Sequence, residues 1–340
     1  MRPRDLKRVI SALYGTRRAV FVWGPPGVGK SQVIQQAAQT LGVDYMDVRL
    51  PYHDPGDLKF PIVNLKEGTM KFIAPLLPKD PHWKGILTLE ELPQAPPMVQ
   101  ACAMQLTLDR MIGDTPLSED TMIVACGNRQ EDRAGAHRLL TALSNRFIHY
   151  DLDISPEDWQ AWALDFGIDS RVRSYLNWKP LELHRFRPEL NEREFPTPRS
   201  WHFASDALPV TPSDLRLETL SGCIGKSAAA EFIGYLEIAE AMEKKYAMEQ
   251  ILHDPVKAPV PTLGDGSVLW ALSGALAEKC RDKHKPTVHA AMQYAMRLPL
   301  EFATYALRSI VKLGGSMNAL TAPGADAFLT KHKHIILSAA

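Results

Sequence analysis

Apolar residues recur along this chain at two different intervals, and the interval changes near residue 155. Residues 3–14 set Leu6, Val9, Ile10 and Leu13 at helical spacing, and Gly15 stops the run. The uninterrupted apolar segment 19–23 predicts a short buried strand, residues 31–41 an amphipathic helix and residues 45–50 a second strand. Residues 51–82 are rich in Pro, Gly and Asp, with extended pieces around Val63 and Phe72. Next come a strand over 84–89, a helix over 98–110, a hairpin within 111–120 and a strand over 121–126. A helix near 137–143 and a strand over 147–152 close this part. Strand and helix alternate at the spacing of βαβ units, which predicts an α/β fold with a parallel sheet flanked by helices.

Beyond residue 155 no buried strand is evident and helical periodicity dominates. Residues 179–198, with Arg185, Arg187, Arg193 and several prolines, read as a linker or irregular crossing. Helices are predicted near 199–207, 214–223, 227–247, 266–281, 286–296, 299–313 and 324–335. The layout is an α/β domain over 1–155, a linking region over 156–210 and an all-α domain over 211–340.

Charge and cysteine content narrow the classes. The 340 residues carry 39 Lys+Arg against 39 Asp+Glu, so no net charge draws the whole protein to nucleic acid or an anionic membrane. With 45% hydrophobic residues, wholesale disorder is excluded. The four cysteines are far apart and form no CxxC pair, which argues against a disulfide framework or a Cys-rich zinc site. The apolar stretch 268–277 is about half a membrane span, and the first 18 residues lack a signal-peptide core. A soluble cytoplasmic protein is expected.

The chemistry begins at Gly24-Pro25-Pro26-Gly27-Val28-Gly29-Lys30-Ser31, a full G-x-x-x-x-G-K-[ST] match between a strand and a helix. Glycines let the backbone wrap a phosphate, and the N–H groups opening the helix face the anion. Lys30 would neutralise the β- and γ-phosphates of ATP, standing open to solvent before nucleotide arrives, and the Ser31 hydroxyl would ligate Mg2+. The apolar strand 84–89 ends in Glu90 and Glu91. By position Glu90 would hold Mg2+ through its waters, and Glu91 would polarise the attacking water. Aspartate is the usual residue at the first place. Glu90 is one methylene longer, a displacement of about 1.5 Å, which predicts slower hydrolysis. Asn128, after the strand 121–126, can bond the water or the γ-phosphate. Arg146 precedes the last strand and is placed to reach a neighbouring subunit's phosphate. Thr197 suits an N-cap and Pro198 the first helical position. Arg199 then sits at a helix start, where the dipole favours an anion, so it makes more sense if it shares a phosphate there.

The ordered set GPPGVGKS, GILTLEEL, ACGN, SNRF and TPRSW resembles AAA+ ATPases, and most of all the MoxR family. Residues 57–78 resemble the insertion in the second helix of that clade, and residues 110–120 the hairpin before its sensor strand. The likeness covers residues 1 to about 210 and, more loosely, a helical lid. It implies Walker A at Lys30 and Ser31, Walker B at Glu90 and Glu91, sensor 1 at Asn128, an arginine finger at Arg146 and sensor 2 at Arg199. Arg133 and Arg138 are further candidates for trans-acting arginines. The resemblance implies a hexameric ring that hydrolyses ATP to remodel a protein partner, one carrying a von Willebrand factor A domain on a separate chain. Two other readings share the core: a nucleic-acid motor or loader, which calls for a basic pore surface, and a nucleotide-gated scaffold that hydrolyses little.

Overall fold

The computed structural model of the chain describes residues 1–132, 135 and 139–338. It divides into two compact units, Met1–Ser155 with Arg187–Asn191, and Pro156–Phe186 with Glu192–Ala340.

The first unit runs α1 (Pro3–Leu13), β1 (Ala19–Trp23), α2 (Lys30–Leu41), β2 (Asp44–Arg49), α3 (Pro55–Leu58), β3 (Phe60–Asn64), β4 (Thr69–Ile73), β5 (Gly85–Glu90) and α4 (Pro97–Asp109). It continues through β6 (Met111–Ile112), β7 (Thr115–Pro116), β8 (Thr121–Gly127), α5 (Thr141–Ser144) and β9 (Phe147–Asp151). Five strands form one sheet in the order β2-β5-β8-β1-β9, every neighbour parallel. This is an α/β fold with a parallel sheet flanked by helices, and an all-α unit follows it in the chain. Side-chain alternation sorts the core. On β8, Met122, Val124 and Cys126 join Val20, Val22 and the α2 residues Ile34 and Ala37 on one face. Ile123 and Ala125 join Phe21, Leu87, Leu89 and the α4 residue Val99 on the other. The register pairs Trp23 with Gly127 and Leu89 with Ala125, so the carboxyl ends of β1, β5 and β8 are level. Ligands of such sheets bind at that edge.

The extended pieces around Val63 and Phe72 are the two arms of one antiparallel hairpin. It docks on the β6–β7 hairpin through one backbone–backbone bond and two bonds from backbone N–H groups to side-chain oxygens. Asp114 N donates to Phe72 O at 2.8 Å, Phe72 N to Asp114 Oδ2 at 2.8 Å and Ala74 N to Thr115 Oγ1 at 2.9 Å. Arg110 ends α4 in the left-handed region, and its guanidinium holds the carbonyls of Ser118 and Thr121 at 2.8 and 2.7 Å. The start of β8 is thereby fixed. Of the helix expected near 137–143, the described portion is the single turn α5; His137 and the candidate arginines Arg133 and Arg138 lie outside the described residues.

The second unit is helical: α6 (Pro156–Phe166), α7 (Ser170–Trp178), α8 (Pro198–Ala207), α9 (Arg216–Ile224), α10 (Lys226–Lys245), α11 (Met248–His253), α12 (Gly266–Glu278), α13 (Lys285–Ala295), α14 (Leu300–Gly314), α15 (Ser316–Leu320) and α16 (Ala325–Ser338). Trp159 of α6, Tyr175 of α7, Trp201 of α8 and Phe232 of α10 share one buried cluster with the later helices. Among the described residues, no helix is long and apolar enough to cross a membrane.

Candidate phosphate-loop site

The loop between β1 and α2 is shaped by its glycines and held at both ends. Gly29 caps α2 at φ +97°, a conformation that side chains with a Cβ rarely adopt. Val28 anchors the loop by burying its side chain under the sheet. Gly24 N donates to Gly127 O at 3.3 Å, and Leu152 N donates to Trp23 O at 2.8 Å, so both neighbours of β1 grip the loop's entry.

Lys30 opens α2 and turns back over the loop. Its Nζ donates to Gly24 O at 2.7 Å, Pro25 O at 3.0 Å and Asn128 Oδ1 at 2.7 Å. The lysine expected to stand open to solvent is therefore half-buried and bonded. Neutral carbonyl and amide oxygens hold the ammonium where an anion is wanted, and phosphate oxygens would be stronger acceptors for it. The bond to Asn128 brings together two candidates that lie far apart in sequence.

The acidic pair separates into two environments. Glu90, the last residue of β5, faces α2 and is 7% exposed. Its Oε2 accepts from the buried Cys126 Sγ at 2.8 Å, while its Oε1 is buried without a hydrogen-bond partner. Burial, reinforced by the charge of Glu90, pushes the Cys126 thiol well above its ordinary pKa, so it remains a proton donor. Glu91 is exposed and left-handed, at φ +56° and ψ +36°. For a non-glycine residue this costs on the order of 1–3 kcal/mol, and such strain gathers at functional positions. The left-handed turn carries Leu92 and Pro93 across the end of β8. A Cβ on Gly127 would lie 2.2 Å from Pro93 Cδ, so glycine is required for this crossing.

Asn128 is steadied by its neighbour Arg129. The Arg129 Nε and Nη2 groups both donate to Asp151 Oδ1, at 2.9 and 2.6 Å, and Arg129 N donates to Asp132 Oδ2 at 2.8 Å. This clamp links the end of β8 to the end of β9, in front of β1. Neither Cys126 nor Arg129 stood out in sequence; period-two alternation along β8 and β5 was the available signal for Cys126.

The remaining candidates are elsewhere. Arg146 immediately precedes β9, whose first residue, Phe147, pairs with Ala19. The phosphate loop begins after Trp23, at the other end of that register. A five-residue strand spans roughly 16 Å, so Arg146 lies about one strand length from its own loop. Its Nη1 donates to Ala142 O at 3.1 Å. The turn that carries it is tethered to β1. Trp23 Nε1 donates to His149 Nδ1 at 2.9 Å, which leaves the ring proton on Nε2 to donate to Ser144 O at 2.8 Å. Arg199 belongs to the second unit. There Thr197 caps α8, accepting from Ser200 N at 3.0 Å, and Pro198 takes the first helical position. Arg199 is exposed and, among the described residues, makes no hydrogen bond or ion pair.

A divalent cation fits the first-unit residues. The orphaned Glu90 Oε1 is a buried acceptor without a donor, and Ser31, in the first turn of α2, brings a hydroxyl. Among the described residues, no group of three or more His, Cys, Asp or Glu side chains could hold a metal ion. Magnesium suits such a site, since it keeps waters and shares phosphate oxygens with one or two side chains.

No family model matches the chain, and no curated protein matches it. Among solved structures, the chain is similar to NtrX from Brucella abortus in complex with ADP (14% identity, TM-score 0.40, covering 98% of this chain and 68% of that one). It is also similar to a putative ATPase from Cytophaga hutchinsonii (12%, 0.36, 99% and 89%). The RuvB Holliday junction branch migration motor of Thermotoga maritima gives 15%, 0.39, 81% and 80%. At these scores the likeness decides nothing about the site, whose chemistry rests on its own residues.

Proposed function

We propose that the chain is a cytoplasmic ATPase that assembles into a ring, a hexamer by its resemblance to MoxR proteins, and uses ATP hydrolysis to remodel a protein partner. The observation that carries this reading is the separation of Arg146 from its own phosphate loop by the length of β9. An arginine there serves catalysis only in a neighbour's site. Interfaces that pair two different surfaces of identical chains close into rings when the rotation closes. In each subunit Gly24 to Ser31 cradle the phosphates, and Lys30 exchanges its carbonyl partners for phosphate oxygens. Bound Mg2+ would be held by Ser31 and, through water, by Glu90, and would neutralise charge developing on the phosphoryl oxygens. Glu91 takes the proton of the attacking water and Asn128 orients it. By the chain's resemblance to MoxR proteins, Arg199 is assigned as sensor 2.

A protein partner is favoured by the exposed apolar side chains of the β3–β4 hairpin, among them Phe60, Ile62, Val63 and Met70. By the same resemblance we assign the partner a von Willebrand factor A domain. The test is capture with Glu91→Gln loaded with ATP. This variant should bind ATP as wild type does, hydrolyse it at least about 100-fold more slowly and retain the partner. Stimulation of wild-type turnover by single- or double-stranded DNA, with no protein retained, would move the assignment to a nucleic-acid motor. Negligible turnover of assembled wild-type rings would move it to a nucleotide-gated scaffold.

A further inference from the structure

Glu90 has one methylene more than the usual aspartate, and with it an additional rotatable bond between the strand and the carboxyl group. The structure shows what restrains this longer arm. Register places Leu89 beside Ala125, and the next residue of each strand, Glu90 and Cys126, turns toward α2. Cys126 is fully buried and Glu90 nearly so, and Sγ lies 2.8 Å from Oε2. A buried thiol usually acts as a small apolar side chain. Here it instead engages one oxygen of a carboxyl group whose other oxygen, Oε1, has no protein donor.

We propose that Cys126 is a positioning residue for the nucleotide's divalent cation: its thiol proton holds Glu90 Oε2 and leaves Oε1 as the oxygen that accepts from the cation's water shell. The proposal rests on the phosphate loop binding nucleotide with Mg2+. The thiol compensates for the longer side chain by selecting one carboxylate orientation. The bond is local to Glu90, so it acts on the cation and not on the phosphate contacts of Lys30.

The experiment compares Cys126→Ser, Cys126→Ala and Cys126→Val in the full chain. Binding of a fluorescent ATP analogue is titrated with Mg2+, and Mn2+ bound beside the nucleotide is followed by electron paramagnetic resonance. Serine keeps a donor and valine keeps the volume. Half-saturating Mg2+ should rise about tenfold in the alanine and valine variants and stay within about twofold of wild type in the serine variant. The kcat should follow the same order, with little change in KM, and ATP binding in EDTA should be alike in all four proteins. On a Glu90→Asp background, whose carboxylate falls short of the thiol, Cys126→Ala should add less than twofold. A packing role gives the opposite order, valine matching wild type and serine the worst. That order, or Ser and Ala variants that behave alike, overturns the proposal. Wild-type protein whose ATP binding ignores Mg2+ would overturn the proposal alone, whereas wild-type protein that binds no ATP with or without Mg2+ would overturn the nucleotide-site reading and the proposal with it.

Discussion

Gly127→Ala tests the geometry that joins the acidic strand to the sensor strand. The new methyl carbon would stand 2.2 Å from Pro93 Cδ and 2.6 Å from Pro93 Cγ. Carbon atoms rest about 3.5–4.0 Å apart, so the two segments must separate by roughly 1.5 Å. Pro93 cannot rotate out of the way, because its ring is fused to the backbone. It lies two residues beyond the left-handed Glu91, and Gly127 adjoins Asn128, so the displacement falls on the candidate base or on the candidate sensor. Overpacking of this kind costs about 1–3 kcal/mol, which a unit with two large apolar clusters should survive. Misplacement by about 1 Å costs on the order of 100-fold in rate. Gly127→Ala should therefore fold, melt a few degrees lower and bind ATP within several-fold of wild type, while kcat drops about 100-fold. Calorimetry, a thermal melt and a steady-state phosphate-release assay give the three readings. A folded variant with wild-type turnover would refute the close crossing of Pro93 over β8 or the catalytic role of the residues beside it.

Lys30→Ala should weaken ATP binding at least about 100-fold while the chain stays folded, since charge-assisted contacts to phosphate contribute roughly 1.5–3 kcal/mol each; unchanged affinity by calorimetry would remove the Walker A assignment. Glu90→Gln should lower Mg2+ affinity more than Glu91→Gln does, and Glu91→Gln should slow turnover at least about 100-fold; the reverse pattern would shift the acidic pair by one residue. Arg146→Ala should leave ATP affinity nearly intact and cut hydrolysis by about 10³-fold or more, because the residue serves a neighbour's site. Mixed with Glu91→Gln subunits after confirmed exchange, it should regain activity at interfaces that pair an intact pocket with an intact arginine; recovery that never appears would place Arg146 outside the shared site.

The amino-acid sequence by itself determined the parts whose rules are local. A strand, a glycine-bearing turn and a lysine at a helix start are neighbours along the chain, so GPPGVGKS could be read together with the helix it opens. The capped start of α8 at Thr197 and Pro198 was legible for the same reason, as was the strand ending in Glu90 and Glu91. Tertiary structure decided everything that depends on which strands lie side by side. Alternating strands and helices predict a parallel sheet but leave the order of its strands open, and only the order β5-β8-β1 sets Cys126 against Glu90 and Asn128 against Lys30. The exposed lysine expected from its residue type became a bonded one because Gly24 O, Pro25 O and Asn128 Oδ1 converge on it in space. Helices α6 and α7 were not resolved as separate elements by spacing alone, since they are short and their apolar faces make sense only against Trp201 and Phe232. Periodicity reports which face of an element is buried; the identity of the partner face is a property of the packed chain.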